Sequence, residues 1–184
     1  GFIAISLCMT AMGGWGWFLS HNTINQLGWL LIGYFFMTIL FQISWSGHLK
    51  ELELRERSNI LVKMGARVRL GKFSPGYAYI YGITVKALNL GIGGLILLEN
   101  FSYIRLSWYI VLCLVALRYL HNLTKPREYV RGKELLCMSL EEVATIYLVI
   151  PLVLGLEAWL LMLLGFVYFF IMNFWLWEKP YPRV

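Results

Sequence analysis

Aspartate is missing from this chain of 184 residues, and charged residues of every kind are scarce. Only 14% of the residues are charged, against about 25% in an ordinary soluble domain. Without aspartate, the chain has none of the Asp-rich motifs with which intramembrane prenyltransferases and CDP-alcohol phosphotransferases bind magnesium diphosphates. The Gly-rich phosphate loop and the His-Glu-x-x-His zinc pair are also missing. These absences argue against the corresponding enzyme classes.

Cysteine is sparse as well. Cys8, Cys113 and Cys137 show no metal-binding or redox spacing. The first two are expected to pack within helices, whereas Cys137, close to a predicted membrane boundary, is a candidate for palmitoylation.

Apolar residues are abundant, at 59% of the chain, and the mean hydropathy is +0.66. The sequence therefore predicts an integral membrane protein, all-α, with a single transmembrane domain over residues 1–184. Six segments approach the ~20 residues that a spanning helix requires: 2–19, 27–46, 78–98, 104–120, 140–154 and 157–177. The fifth is the shortest, because Pro151 and Gly155 leave it only about 15 residues. A re-entrant hairpin over 140–177, with four or five spans in total, is the alternative.

Charge is distributed unevenly along this pattern. Residues 46–76, 118–142 and 178–184 hold 22 of the 26 charged residues and 14 of the 16 Lys and Arg. Short segments rich in Lys and Arg stay on the side from which a membrane protein is inserted. We therefore expect both termini, and two basic loops at 47–76 and 121–139, on the inner side of a plasma, inner or organellar membrane.

The first basic loop has internal patterning. Glu51 with Arg55, and Glu53 with Arg57, have the i,i+4 spacing that supports a helix. From Val62 to Leu70, apolar residues alternate with basic or small ones, which predicts an extended segment with one apolar and one basic face. The segment is either a solvated surface in contact with anionic headgroups or a docking surface for a partner or an anionic substrate. The candidate binding residues in the two loops are Lys63, Arg67, Arg69, Arg127 and Arg131.

Lys86 is the one charge well inside a predicted span. A charge at the centre of a bilayer costs at least about 2.5 kcal/mol, so such a residue is a functional candidate by default. Three interpretations are open: the side chain snorkels to the inner surface, it forms a structural ion pair with Glu141 or Glu142, or it lies on a substrate or proton pathway.

The histidines give little support for a metal site. His48 and Glu51 share a helical face, and His121 with Glu128 lies on the same predicted side. A carboxylate-bridged centre usually needs more such groups, in repeated Glu-x-x-His units, so no metal is expected. The sequence identifies no cofactor.

Three functions fit these features. The first is a non-catalytic subunit or scaffold of a larger membrane complex, whose basic inner loops contact partner subunits or membrane lipids, with no nucleic acid expected. The second is a lipid-modifying enzyme with a site at the inner surface, for which the sequence offers the polar residues His48, Arg55, Arg67, Arg69, His121, Arg127 and Arg131. The third is a small transporter or channel centred on Lys86.

Overall fold

The structure is mostly helical, as the composition predicts. The computed structural model describes residues 2–21, 23–46, 48, 52, 59–147, 149–154 and 159–177. Its helices are α1 (Phe2–His21), α2 (Gln26–Phe41), α3 (Ile60–Lys63), α4 (Ala78–Glu99), α5 (Tyr103–Thr124), α6 (Arg131–Tyr147), α7 (Ile150–Leu154) and α8 (Trp159–Trp177). Helix α2 continues into a π-helical turn, Gln42–Ser46, and three short strands, β1 (Arg67–Arg69), β2 (Lys72–Ser74) and β3 (Arg127–Glu128), form one sheet.

Four of these helices are long and apolar enough to cross a membrane. They are α1, α2 with its π-helical turn, α4 and α5, and they coincide with the first four predicted spans. Four such helices among the described residues are compatible with a membrane protein.

Neither of the last two predicted spans is among the four candidate membrane-spanning helices found in the described residues. Segment 140–154 is divided between the end of α6 and the short helix α7. Pro151 lies in the first turn of α7, where its missing N–H costs no helical hydrogen bond. In α8 the apolar stretch found is Leu163–Met172. The count of six spans is therefore not confirmed.

The long helices pack as antiparallel neighbours. Asn25 caps α2 by accepting a hydrogen bond from the backbone N–H of Gly28 at 2.9 Å, and Ser102 caps α5 in the same way. The Gln26 side-chain amide donates to Glu99 at 2.6 Å, which joins the start of α2 to the end of α4. Helix α2 packs mainly on α4 and α1, and α5 packs between α4 and α6.

The sheet lies at the opposite end of this bundle. Strands β1 and β2 form a hairpin in which Arg69 is paired with Lys72, and β3 adds to β2 with Lys72 opposite Glu128. The two residues of the hairpin turn, Leu70 and Gly71, both have positive φ, +49° and +73°. Strand β2 ends four positions before α4 begins, and β3 starts three positions after α5 ends. The sheet is therefore tied to the adjoining ends of two long helices.

The two basic segments predicted as loops, 47–76 and 121–139, contain much regular structure where they are described. The first contributes α3 and the hairpin, and the second contributes β3 and half of α6. Their apolar residues explain the difference, because Leu61, Phe73 and Tyr129 are buried in a hydrophobic cluster at this end of the bundle. The predicted helical pairs at 51–57 lie outside the described residues.

The predicted alternation between Val62 and Leu70 is correct only in β1. Val62 lies in α3, because the Asn59 side chain accepts hydrogen bonds from the N–H groups of Leu61 and Val62 at 2.9 and 3.3 Å and so starts a helical turn. Leu70 lies in the hairpin turn and is fully exposed rather than on an apolar face.

Candidate functional site

A buried group of polar side chains lies where α2, α4 and α6 meet. We call it the polar cluster, and its members are Tyr34, Thr38, Gln42, Lys86, Asn89, Glu141 and Thr145. All except Gln42 expose at most 1% of their surface. Along α2 and α4 the cluster separates two hydrophobic clusters, one around Phe41 and Val85 and the other around Leu31 and Leu90.

Helical spacing brings these groups together. Lys86 and Asn89 are three residues apart on α4, and Glu141 and Thr145 are four apart on α6. Residues three or four apart share a helix face. Each helix therefore turns a pair of polar side chains toward the same junction.

The centre of the polar cluster is an ion pair. The Lys86 ammonium binds Glu141 Oε1 and lies 3.4 Å from Thr145 Oγ1. The ring of Phe41 covers the ammonium, with its centroid 4.5 Å from Nζ. Of the interpretations offered for Lys86, the ion pair with Glu141 is the one present. Snorkelling is not, because the side chain is 1% exposed.

The Glu141 carboxylate accepts hydrogen bonds from all three helices. Gln42 Nε2, in the π-helical turn that continues α2, donates to Oε2 at 2.5 Å. Thr145 Oγ1 lies 2.8 Å from both Oε1 and the main-chain carbonyl oxygen of Glu141, and its one proton is shared between them. With Lys86, the carboxylate thus has three donors. A buried charge is tolerated when it is both paired and hydrogen-bonded, which is the condition met here.

The rest of the polar cluster links α2 to its two neighbours. Asn89 Nδ2 donates to the carbonyl of Tyr34 at 2.9 Å and to Thr38 Oγ1 at 3.0 Å. The Tyr34 hydroxyl donates to the carbonyl of Thr145 at 2.7 Å. That carbonyl lies in the last turn of α6, where helical partners run out. Among the described residues, Asn89 Oδ1 is a buried acceptor left without a partner.

The polar cluster is enclosed by its neighbours. Four cavities on the described part of the chain are lined entirely by other residues. The one of about 620 Å³ is an apolar groove between α1 and α2, lined by residues such as Trp15, Phe18 and Trp29. The arrangement of the polar cluster is suited to holding three helices together rather than to admitting a ligand.

A second candidate site is the exposed side of the hairpin. Arg67, Arg69 and Lys72 are all exposed, whereas Val68 is half-buried and Phe73 is buried. Alternation along the strands and the pairing of Arg69 with Lys72 place the three cations on one face. We call this the basic face. It joins two of the predicted binding residues, Arg67 and Arg69, to a lysine that was not predicted.

Arg127 lies on the other side of the sheet. It is paired in register with Phe73, and its guanidinium lies 4.7 Å from the Phe73 ring. Its Nε donates to Glu134 Oε1 at 2.9 Å, and Nη2 donates to Glu134 Oε2, so the contact is bidentate. Arg127 thus joins β3 to α6 and is not part of the basic face.

Cys137 lies close to this pair on α6. Burial raises the pKa of the Cys137 thiol, the Glu134 carboxylate raises this pKa further, and Arg127 lowers it. The thiol also packs against the hydrophobic cluster around Phe73. A half-buried, protonated thiol is a poor nucleophile, which does not favour the predicted palmitoylation.

The remaining predicted binding residues are separate from the basic face in the chain. Lys63 is exposed in α3. Arg131 is the first residue of α6, and its side chain lies outside the description.

The residues considered as metal ligands lie on several different elements. His48 is half-buried, and its carbonyl accepts a hydrogen bond from Asn59 Nδ2 at 2.9 Å. His121 is exposed in the last turn of α5, and Glu128 lies on β3. Glu51 is outside the described residues. Within the residues that the structure describes, no group of three or more His, Cys, Asp or Glu is arranged to hold a metal ion.

One connection in the polar cluster, the Lys86–Glu141 pair, was among the interpretations that the sequence offered, whereas the other hydrogen bonds were not predicted. The polar residues of the spans are visible in the sequence, and their spacing of three or four on each helix was a usable signal. Lys72 and Glu134 gave no comparable signal, because their roles depend on where the short strand β3 lies.

Comparison with known proteins adds no further identification. No family model, no curated protein and no solved structure matches this chain.

Proposed function

We propose that the chain is a non-catalytic scaffold or subunit of a larger membrane protein complex. In this proposal both termini and the sheet lie on the inner side of the membrane, and segments 140–154 and 157–177 complete six crossings. The basic face is the surface through which the chain contacts partners or anionic lipid.

The observation that carries this proposal is the use of the polar cluster. Lys86 and Glu141 are the charged groups most deeply placed among the described residues, and they bind each other and their neighbours. Catalysis or transport would require such groups to reach a substrate. Here their contacts join α2, α4 and α6, which is a structural role.

The apolar helix surfaces support the same proposal. Helix α5 exposes Leu114 and Leu117 by 63% and 52%, and α4 exposes Leu98 by 67%. Such surfaces are suited to lipid or to the helices of other membrane subunits. The sheet end offers a different surface, because its exposed cations give it a positive charge.

Photocrosslinking in the intact membrane tests the proposal. Leucine is replaced throughout by its photoactivatable diazirine analogue, which has nearly the same shape and leaves the packing undisturbed. Crosslinks from the exposed Leu114 to other polypeptides are expected. Leu112, on the same helix but fully buried, is the matched control and should crosslink only within the chain.

Native mass measurement after mild extraction provides the second readout. The chain should be found with at least one other membrane polypeptide in fixed proportion. A chain that is monomeric and alone, with crosslinks from Leu114 only to lipid, would exclude the subunit proposal. Loss of solute flux in a variant whose ion pair is neutralised without loss of stability would favour the transporter instead.

A further inference from the structure

We propose that the basic face is a binding site for the headgroups of anionic phospholipids in the leaflet beside it. This inference rests on the proposed function for the placement of the sheet at the inner membrane surface. It names the ligand that the proposed function leaves open.

The first step is charge. Arg67, Arg69 and Lys72 share one face of a small sheet, and Arg69 is directly opposite Lys72. Like charges placed opposite each other destabilise a hairpin. On the described part of the sheet, Glu128, opposite Lys72, is the one carboxylate in register with these cations. None of the three cations has an ion-pair partner among the described residues. An anion from outside the chain would relieve this repulsion.

The second step is position. Three residues connect the sheet to the start of α4, and two connect it to the end of α5. At up to ~3.6 Å per residue, neither connection is longer than about 15 Å. If α4 and α5 span the bilayer, the hairpin is held within reach of the headgroup layer. Arg and Lys side chains can extend further toward phosphates while their aliphatic stems contact apolar surface.

The third step is the tip of the hairpin. Leu70 is fully exposed and has a φ of +49°, a conformation that leucine rarely adopts. The turn therefore holds an apolar side chain out beside three cations. This combination of apolar and basic groups is typical of segments that lie in a membrane interface. An acidic soluble partner would interact with the cations but would gain little from the leucine.

Lipid titration of the purified protein tests the inference. The chain, in mild detergent with its natural partners present, is titrated with dioctanoyl phosphatidylglycerol or dioctanoyl phosphatidylcholine, and bound lipid is counted by native mass spectrometry. Phosphatidylglycerol should bind at least tenfold more tightly. Each basic residue near an anionic surface contributes roughly fivefold, so Arg69→Gln should weaken phosphatidylglycerol binding by about that factor. Binding should also weaken as sodium chloride is raised, because salt screens exposed charges.

Matched variants identify the surface. Lys133→Gln removes another exposed cation, on α6 and outside the sheet, and should leave lipid binding unchanged. Leu70→Ser should weaken binding of the dioctanoyl lipid but leave binding of glycerol 1-phosphate unchanged. Melting temperatures show that each variant folds, which is expected because all three side chains are exposed.

Two results would overturn the inference. One is equal affinity for the two lipids, and the other is an equal effect of Arg69→Gln and Lys133→Gln. Displacement of a copurifying acidic polypeptide by Arg69→Gln would assign the basic face to a protein instead. If the complex is found but lipid selectivity is not, the lipid inference fails and the scaffold proposal stands.

Discussion

Removal of one member of the Lys86–Glu141 pair should destabilise the protein strongly, whereas removal of both charges should not. In Lys86→Met the carboxylate keeps its hydrogen bonds from Gln42 and Thr145 but loses its counter-charge. Breaking a buried ion pair on one side costs about 3–5 kcal/mol. We expect a loss of stability in that range for Lys86→Met. A similar loss is expected for Glu141→Gln, because the Lys86 ammonium is then left without its counter-charge.

The double variant Lys86→Met with Glu141→Gln should recover most of this loss. The glutamine oxygen can still accept a hydrogen bond from Gln42, and its amide N–H can donate to Thr145 Oγ1, whose hydroxyl can donate to the main-chain carbonyl of residue 141. No charge is left in the site. Replacing a buried pair by neutral groups of similar size is often neutral or stabilising, so the double variant should lie within about 1 kcal/mol of the parent. The coupling between the two sites should then be at least about 3 kcal/mol.

Unfolding by sodium dodecyl sulfate in mixed micelles, followed by tryptophan fluorescence, measures these free energies. Thr84→Val, at an exposed position two residues before Lys86 on α4, is the matched control and should change stability by less than about 0.5 kcal/mol. A loss of stability in Lys86→Met as small as in this control would refute a stabilising ion pair. A double variant that loses as much stability as the two single variants together would refute it as well.

Three further outcomes can be checked on the same material. Gly76→Ala should lower the free energy of unfolding by more than about 2 kcal/mol, because φ is +55° and a Cβ there would lie 2.5 Å from the carbonyl of Gly65. An unchanged free energy of unfolding in Gly76→Ala would contradict this close approach. Gly71→Ala should lower the free energy of unfolding by only about 1 kcal/mol, because φ is +73° but a Cβ there would meet no other atom. A larger loss would show that the position is in contact with another part of the chain. Alkylation of Cys137 by iodoacetamide should reach its half-maximal rate at a higher pH than for an ordinary thiol, because burial raises the pKa. Since the folded-state pKa is raised, the stability linked to this thiol is present below its ordinary pKa and is lost as pH rises through the folded value; an unshifted profile would show that the site is open to solvent.

Much of the helical fold could be predicted because long apolar segments leave few alternatives. The first four spans match α1, α2, α4 and α5, since a continuous run of about 20 apolar residues has a strong signal. The segment after residue 130 was harder. Its polar residues, among them Glu134 and Glu141, are buried against other elements, and a hydropathy pattern cannot show which partner satisfies them.

The sheet shows a different limit of the sequence. Strand β3 has two residues, Arg127 and Glu128, and pairs with residues more than 50 positions earlier. No periodicity exists in a segment of two residues, so the pairing depends wholly on where α4 and α5 place their ends. The same dependence separated Arg127 from the basic face, although the sequence had grouped it with Arg67 and Arg69.

The polar cluster has a consequence for the orientation of α6. Apolar packing alone tolerates small rotations of a helix, whereas Glu141 and Thr145 reach Lys86 and Tyr34 in one rotational setting. Buried polar pairs can fix register in this way at little gain in stability. We therefore expect the double variant Lys86→Met with Glu141→Gln to keep its stability but to allow α6 more than one rotational setting about its axis. Hydrogen exchange across Arg131–Tyr147 should become faster in that variant while exchange in α4 stays slow. Unchanged protection of α6 would show that its apolar face alone sets the orientation.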